Sequence, residues 1–123
     1  MFGKAARKDT KDAVQTRSAA SVANASDTDN LLRTAARAIR DERFREARQL
    51  LGQAAAQNME NPEIFNLLGI LYEKQSDLLN AGKFYRVAYY MDQSFKAASD
   101  NLDRVCQFWY RGSDKQIEWG VTF

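Results

Sequence analysis

At 123 residues the chain has room for one domain with a core of moderate size. It contains no histidine and a single cysteine, Cys106, which removes the commonest general base, the commonest transition-metal ligand, an internal disulfide and a thiolate metal site. Its net charge of +2 is unevenly placed: residues 1–26 carry +3, residues 27–111 carry twelve charges of each sign, and residues 112–123 carry −1, so the central part lacks the electrostatic footprint of a nucleic-acid binder.

Residues 1–26 are rich in Ala, Ser, Thr, Lys and Asp and poor in large apolar side chains. Such a segment buries too little surface to offset its ordering entropy, and the expectation is a disordered basic arm with a transient helix around Ala13–Ala23. No apolar run follows the first basic residues, as a secretory signal would require, and no stretch approaches the ~20 apolar residues of a membrane span. A soluble protein in the cytoplasm, a reducing compartment, is expected.

From Asp27 onward the apolar residues recur at helical spacing. Leu31, Thr34, Ala35 and Ala38 form the first stripe; Phe44, Ala47, Leu50, Leu51 and Ala54 the second; Phe65, Leu68, Gly69 and Tyr72 the third. Leu78, Ala81, Tyr85 and Ala88 form the fourth, and Leu102, Val105, Cys106 and Trp109 the fifth. These place helices at about 28–41, 44–58, 62–75, 78–91 and 95–111, an all-α fold, with Cys106 as a small buried hydrophobe. Asn61-Pro62 is a helix start, with Asn as the cap and Pro in the first helical position. The arginines at 33, 37, 40, 43, 45 and 48 are interleaved with Asp41, Glu42 and Glu46 and read as a solvated, salt-bridged face. Gly-rich phosphate loops, metal-ligand spacings and nucleophile–base pairs are missing.

Shifting the sequence by 34 residues superposes Asp27 on Asn61, Leu31 on Phe65, Ala35 on Gly69, Phe44 on Leu78, Ala47 on Ala81, Leu51 on Tyr85 and Ala54 on Ala88. A 34-residue period with two helices per unit is the signature of one repeat class. The second unit, with Phe65, Leu68-Gly69, Tyr72, Ala81, Tyr85 and Ala88, closely resembles the tetratricopeptide-repeat (TPR) family. Gly69 and Ala81 are the small residues that let the two helices approach, and Ala88 leaves room for the following helix. The first unit is more degenerate, with Ala38 where the family has an aromatic, and Met59 and Gln93 stand where it has proline. The resemblance covers about 84 of the 123 residues. It implies a helix-turn-helix solenoid over 27–111, with repeats at 28–61 and 62–95 and a capping helix at 95–111. Asp103 falls where Gly69 sat, as befits a terminal helix with a wet outer face.

In this family the first helix of each unit lines a concave groove. The resemblance therefore implies a partner-binding groove of Leu32, Arg33, Ala36, Ile39 and Arg40 from the first unit, Asn66, Leu67, Ile70, Glu73 and Lys74 from the second, and Asn101, Arg104 and Phe108 from the capping helix. An aliphatic floor with cations at its rim suits a peptide with apolar and acidic residues; the same aliphatic residues could equally be covered by the chain's own tail or a second copy. Some family members clamp a terminal carboxylate with Lys, Asn and Arg. The matching places here hold Leu32, Ala36, Leu67, Ala97 and Asn101, so that clamp is lacking.

Within residues 112–123, Ile117, Trp119, Val121 and Phe123 alternate with Glu118, Gly120 and Thr122, the chain's one strand-like stretch. Three consecutive aromatics, Phe108-Trp109-Tyr110, precede it and cannot all face one core. The tail is expected to fold onto the capping helix or into a groove, its own or a neighbour's. The functional expectation is a non-enzymatic interaction module without cofactor or metal, an adaptor or assembly chaperone holding a partner peptide. The alternative is a self-assembling structural protein linked through Trp109, Trp119 and Phe123.

Overall fold

The computed structural model describes residues 27–107 and 116–123. The arm expected at 1–26 and the aromatics Phe108, Trp109 and Tyr110 lie outside the described residues. Among the described residues there are five helices: α1 (residues 27–40), α2 (Phe44–Gln57), α3 (Pro62–Lys74), α4 (Leu78–Met91) and α5 (Lys96–Val105). Among the described residues there is no strand, and no helix is long and apolar enough to cross a membrane.

The helices follow from local chemistry. Asn61 caps α3 by accepting the Glu63 amide at 3.0 Å, with Pro62 in the first turn. Asp77 caps α4 by accepting the Asn80 amide at 3.2 Å. Each helix pair turns through the same joint. In the first, the Arg43 amide donates to the Ala38 carbonyl at 2.7 Å and the Glu42 amide to Ile39 at 3.0 Å. In the second, Asp77 donates to Tyr72 and Ser76 to Glu73, both at 2.9 Å. These are paired six-to-one and five-to-two closures around a left-handed residue, and that residue is Glu42 in one and Ser76 in the other, each at φ 64°. The exits match as well. Asn58 and Asp92 end α2 and α4 in extended geometry, and their side chains accept the Glu60 and Ser94 amides at 3.0 Å. All these pairs are 34 residues apart, so the period read from side chains is also a period of the backbone.

Packing follows the small residues. Ala35, Ala38, Ala47, Ala54, Ala81 and Ala88 are fully buried, and Leu51, Ile64, Leu71 and Tyr85 fill the volume between them. On the flank, Phe84 stacks against Tyr72 at 5.4 Å and Phe65 at 6.4 Å between ring centroids. Gly69 makes room for an aromatic ring rather than for Ala81 as the sequence suggested. The atoms nearest to a Cβ placed there belong to the Tyr85 ring, with Cγ at 3.0 Å and two further ring carbons overlapping.

Two expectations for the fifth helix are corrected. It ends at Val105 instead of reaching 111, and Cys106, whose amide closes back onto Leu102, is exposed instead of buried. The apolar stripe that carried the longer helix also ran through Trp109, but the turn at Cys106 and Gln107 breaks its register.

Candidate functional site

Residues 116–123 lie against α1, α3 and α5, touching Arg40, Asn66, Asn101 and Arg104. Ile117 is buried at 7% exposure among the core residues, with Trp119 and Val121 packed against the same cluster. Of the occupants the sequence left open, the one seen is the chain's own tail.

Side chains hold this segment chiefly by its backbone. Asn101, on α5, donates from Nδ2 to the Glu118 carbonyl at 2.7 Å and accepts the Glu118 amide on Oδ1 at 2.9 Å. Asn66, on α3, donates from Nδ2 to the carbonyls of Glu118 and Trp119, both at 3.1 Å. The two asparagines are joined to each other, Asn101 Nδ2 to Asn66 Oδ1 at 2.9 Å. Arg104 Nε donates to the Gln116 carbonyl at 3.2 Å. A segment with no neighbouring strand must find partners for its peptide groups, and the two amides supply what a sheet would otherwise provide.

Beneath this clamp lies a buried ionic network. Arg104 forms a two-pronged ion pair with Glu73 at the end of α3, with Nη2 to Oε1 at 2.9 Å and a short contact from Nη1 to Oε2. Its Nη2 also donates to Asn101 Oδ1 at 2.9 Å, and the Tyr85 hydroxyl donates to Glu73 Oε1 at 2.6 Å. The hydroxyl's proton is held firmly. Burial, then the charge and hydrogen bond of Glu73, push the Tyr85 phenol far above the ordinary tyrosine range. Among the described residues no buried side-chain nitrogen or oxygen lacks a partner, which is the condition under which a buried charged network is tolerated.

At the other end the segment bends. Gly120 has φ 73°, and a Cβ there would lie 2.7 Å from Phe95 Cζ and 3.1 Å from Asn66 Nδ2. Beyond it, residues 120–122 border a recess of about 190 Å³ with Asp29, Leu32, Arg33 and Glu63. Burial, then the charge of Asp29, raise the carboxyl of Glu63 above the ordinary range. Phe123 returns to pack edge-on against Trp119 at 5.2 Å and under the guanidinium of Arg40 at 4.6 Å from the ring centroid.

Set against the groove residues named from the sequence, the structure sorts them. Asn66, Asn101 and Arg104 grip the segment, and Arg40 caps its end. Leu32, Ala36, Ile39, Leu67 and Ile70 are at most 1% exposed and belong to the core, so they are not an open floor. Leu67 in particular is sealed, and a charge there would strike the fold itself. Arg33 borders the recess, and Lys74 is half-buried beside Glu73 in sequence. Phe108 and Trp109 lie outside the described residues. Sequence reasoning took Glu73 as a groove residue and Tyr85 as packing, and missed their shared network. A carboxylate at the end of an apolar helix and an arginine one unit on are the signals that could have paired Glu73 with Arg104.

The arginine face is solvated as expected. Arg43 pairs with Glu46 at 2.5 Å and with Asp41 at 3.5 Å, all about half exposed.

No family model matches the chain, and no curated protein and no solved structure matches it.

Proposed function

We propose that the chain is a non-enzymatic protein–protein interaction module of the TPR type, an adaptor or assembly chaperone whose groove receives an extended segment of a partner. The observation that carries this reading is the pair Asn66 and Asn101, two buried amides on different helices that bind the backbone of an extended segment from both its donor and acceptor sides. Side-chain recognition of peptide backbone suits a site for chain segments better than one for small molecules. The 34-residue repetition of the joints at Glu42 and Ser76 supports the TPR assignment, and the exposed free thiol of Cys106 fits a reducing, cytoplasmic setting. The self-assembly alternative named Trp119 and Phe123 as linking residues. The two rings pack against each other, and Phe123 also lies under Arg40, in their own chain, which favours the first reading.

Affinity capture from source-cell extract tests it, using the full chain and its Gly120→Val variant, in which the resident segment is destabilised. The expected result is a reproducible set of proteins retained by the variant and depleted on the unaltered chain. Identical retention by both, or none, would overturn the reading.

A further inference from the structure

We propose that the groove is a peptide site with a definable ligand class: an extended segment with an aliphatic residue, an aromatic residue two positions later and a glycine directly after it. Residues 116–123 hold this site in cis until such a segment from another protein displaces them. The inference rests on the interaction-module reading and adds to it the chemistry of the partner.

The contacts divide into those any strand would make and those this sequence needs. The bonds to the Gln116 carbonyl, to both peptide groups of Glu118 and to the Trp119 carbonyl are blind to side chains. They provide hold without selection. Selection enters at Ile117 and Gly120. Ile117 is sealed into the core cluster, where a polar or charged side chain would be desolvated without a partner. Gly120 combines a left-handed φ with the close approach of Phe95 and of the fully buried Asn66, so a side chain there is both strained and obstructed. Glu118 points to solvent, and Trp119 is half-buried, so the first position is unselective and the second favours a broad apolar ring. The spacing that emerges is Ile117, Trp119, Gly120.

Apart from the buried Ile117, the resident segment lies near the surface. Glu118, Gly120, Thr122 and Phe123 keep exposed surface, and its hold is non-covalent throughout. A tethered occupant competes at an effective concentration of the order of millimolar, so an external segment meets a site that is closed to weak sequences and open to well-matched ones.

The test uses the full chain and a fluorescently labelled synthetic peptide of residues 113–123, followed by anisotropy. The chain carrying Gly120→Val should bind this peptide at least about tenfold more tightly than the unaltered chain, because its cis competitor is weakened. A second peptide with valine in place of the glycine should bind neither. Equal affinity of the two chains, no binding to the variant while its circular dichroism stays helical, or equal binding of the valine peptide would overturn the proposal. If Gly120→Val does not fold, Ile117→Gln takes its place with the same expectations. Light scattering of the unaltered chain closes the remaining route: a dimer-sized mass that the peptide converts to monomer would overturn displacement by another protein and make the occupant a second copy's segment. Peptide binding that fails while affinity capture succeeds sinks the ligand class and leaves the module reading standing; the reverse pattern sinks the module reading and, with it, displacement by another protein.

Discussion

Asn101 grips Glu118 as a strand would, donating to its carbonyl at 2.7 Å and accepting from its amide at 2.9 Å. The same side chain also meets Asn66 and Arg104, so one amide ties the segment to two helices. Asn101→Ala strands several buried polar groups at once, each worth about 1–3 kcal/mol when unsatisfied. We expect a loss of about 2–4 kcal/mol in urea unfolding and faster amide exchange at residues 117–119. Unchanged exchange in a variant of normal stability would mean that the clamp does not hold the segment in solution.

Gly69 and Tyr85 set the closest approach of α3 and α4. Because the Tyr85 ring is fully buried and its hydroxyl is tied to Glu73, it cannot swing away from an added methyl. Gly69→Ala should therefore lower stability by about 1–3 kcal/mol through overpacking. Combining it with Tyr85→Leu should recover part of the loss, a positive coupling in a double-mutant cycle. A wild-type melting temperature for Gly69→Ala would show that the two helices meet in another register.

Removing one member of the buried ion pair leaves the other without compensation. Glu73→Ala is expected to cost about 3–5 kcal/mol, with Glu73→Gln falling in between because it keeps an acceptor for Tyr85. Denaturant midpoints measure both. The charge-free double variant Glu73→Gln/Arg104→Met should lie above Glu73→Ala; finding it below would mean that the pair contributes by packing, not by charge.

Tyr85 makes stability sensitive to alkali. Its folded-state phenol sits far above the ordinary value, so above pH ~10 the unfolded chain releases a proton that the folded chain keeps. The stabilisation is complete below that pH and is lost as pH rises toward the folded-state value. Ultraviolet titration should show one tyrosine silent until the chain unfolds, and Tyr85→Phe should flatten the alkaline decline. A smooth titration of all five tyrosines in a folded chain would contradict this.

Ser76 occupies a left-handed conformation that costs an L-residue about 1 kcal/mol or more. Ser76→Gly removes that strain, and the larger freedom of glycine in the unfolded chain returns part of the gain. A net stabilisation of up to about 1 kcal/mol is expected from thermal melts, with Glu42→Gly behaving alike. Destabilisation at both sites would argue against the shared joint.

Much of this architecture was legible in the residues. Period 3.6 and the 34-residue shift located the helices to within two residues up to Met91, because alanine and leucine spacing is a direct record of which face is buried. Asn61 announced its cap by residue type alone, whereas the Asp77 cap emerged only from the structure. The groove was legible as a set of positions and not as a state. Asn66, Asn101 and Arg104 were named, but a hydrogen bond to a peptide carbonyl carries no signature in the donor's neighbours, so their grip on residues 116–119 was invisible. Leu67 was placed on the groove floor with its cover undecided, because an open groove and a filled one share the same stripe. Helix α5 was overextended because apolar spacing continues past Cys106 while the backbone turns.

The route of residues 116–123 also has a mechanical meaning. Helices α1 and α5 stand at opposite ends of the helical sequence, and residues 116–123 touch both. The segment leaves Arg104 on α5, passes Asn66 on α3 and ends under Arg40 on α1. It is a tie that joins three helices by non-covalent contacts alone. Without it, Arg40 on α1 and Arg104 on α5 would lose a chain segment that touches both.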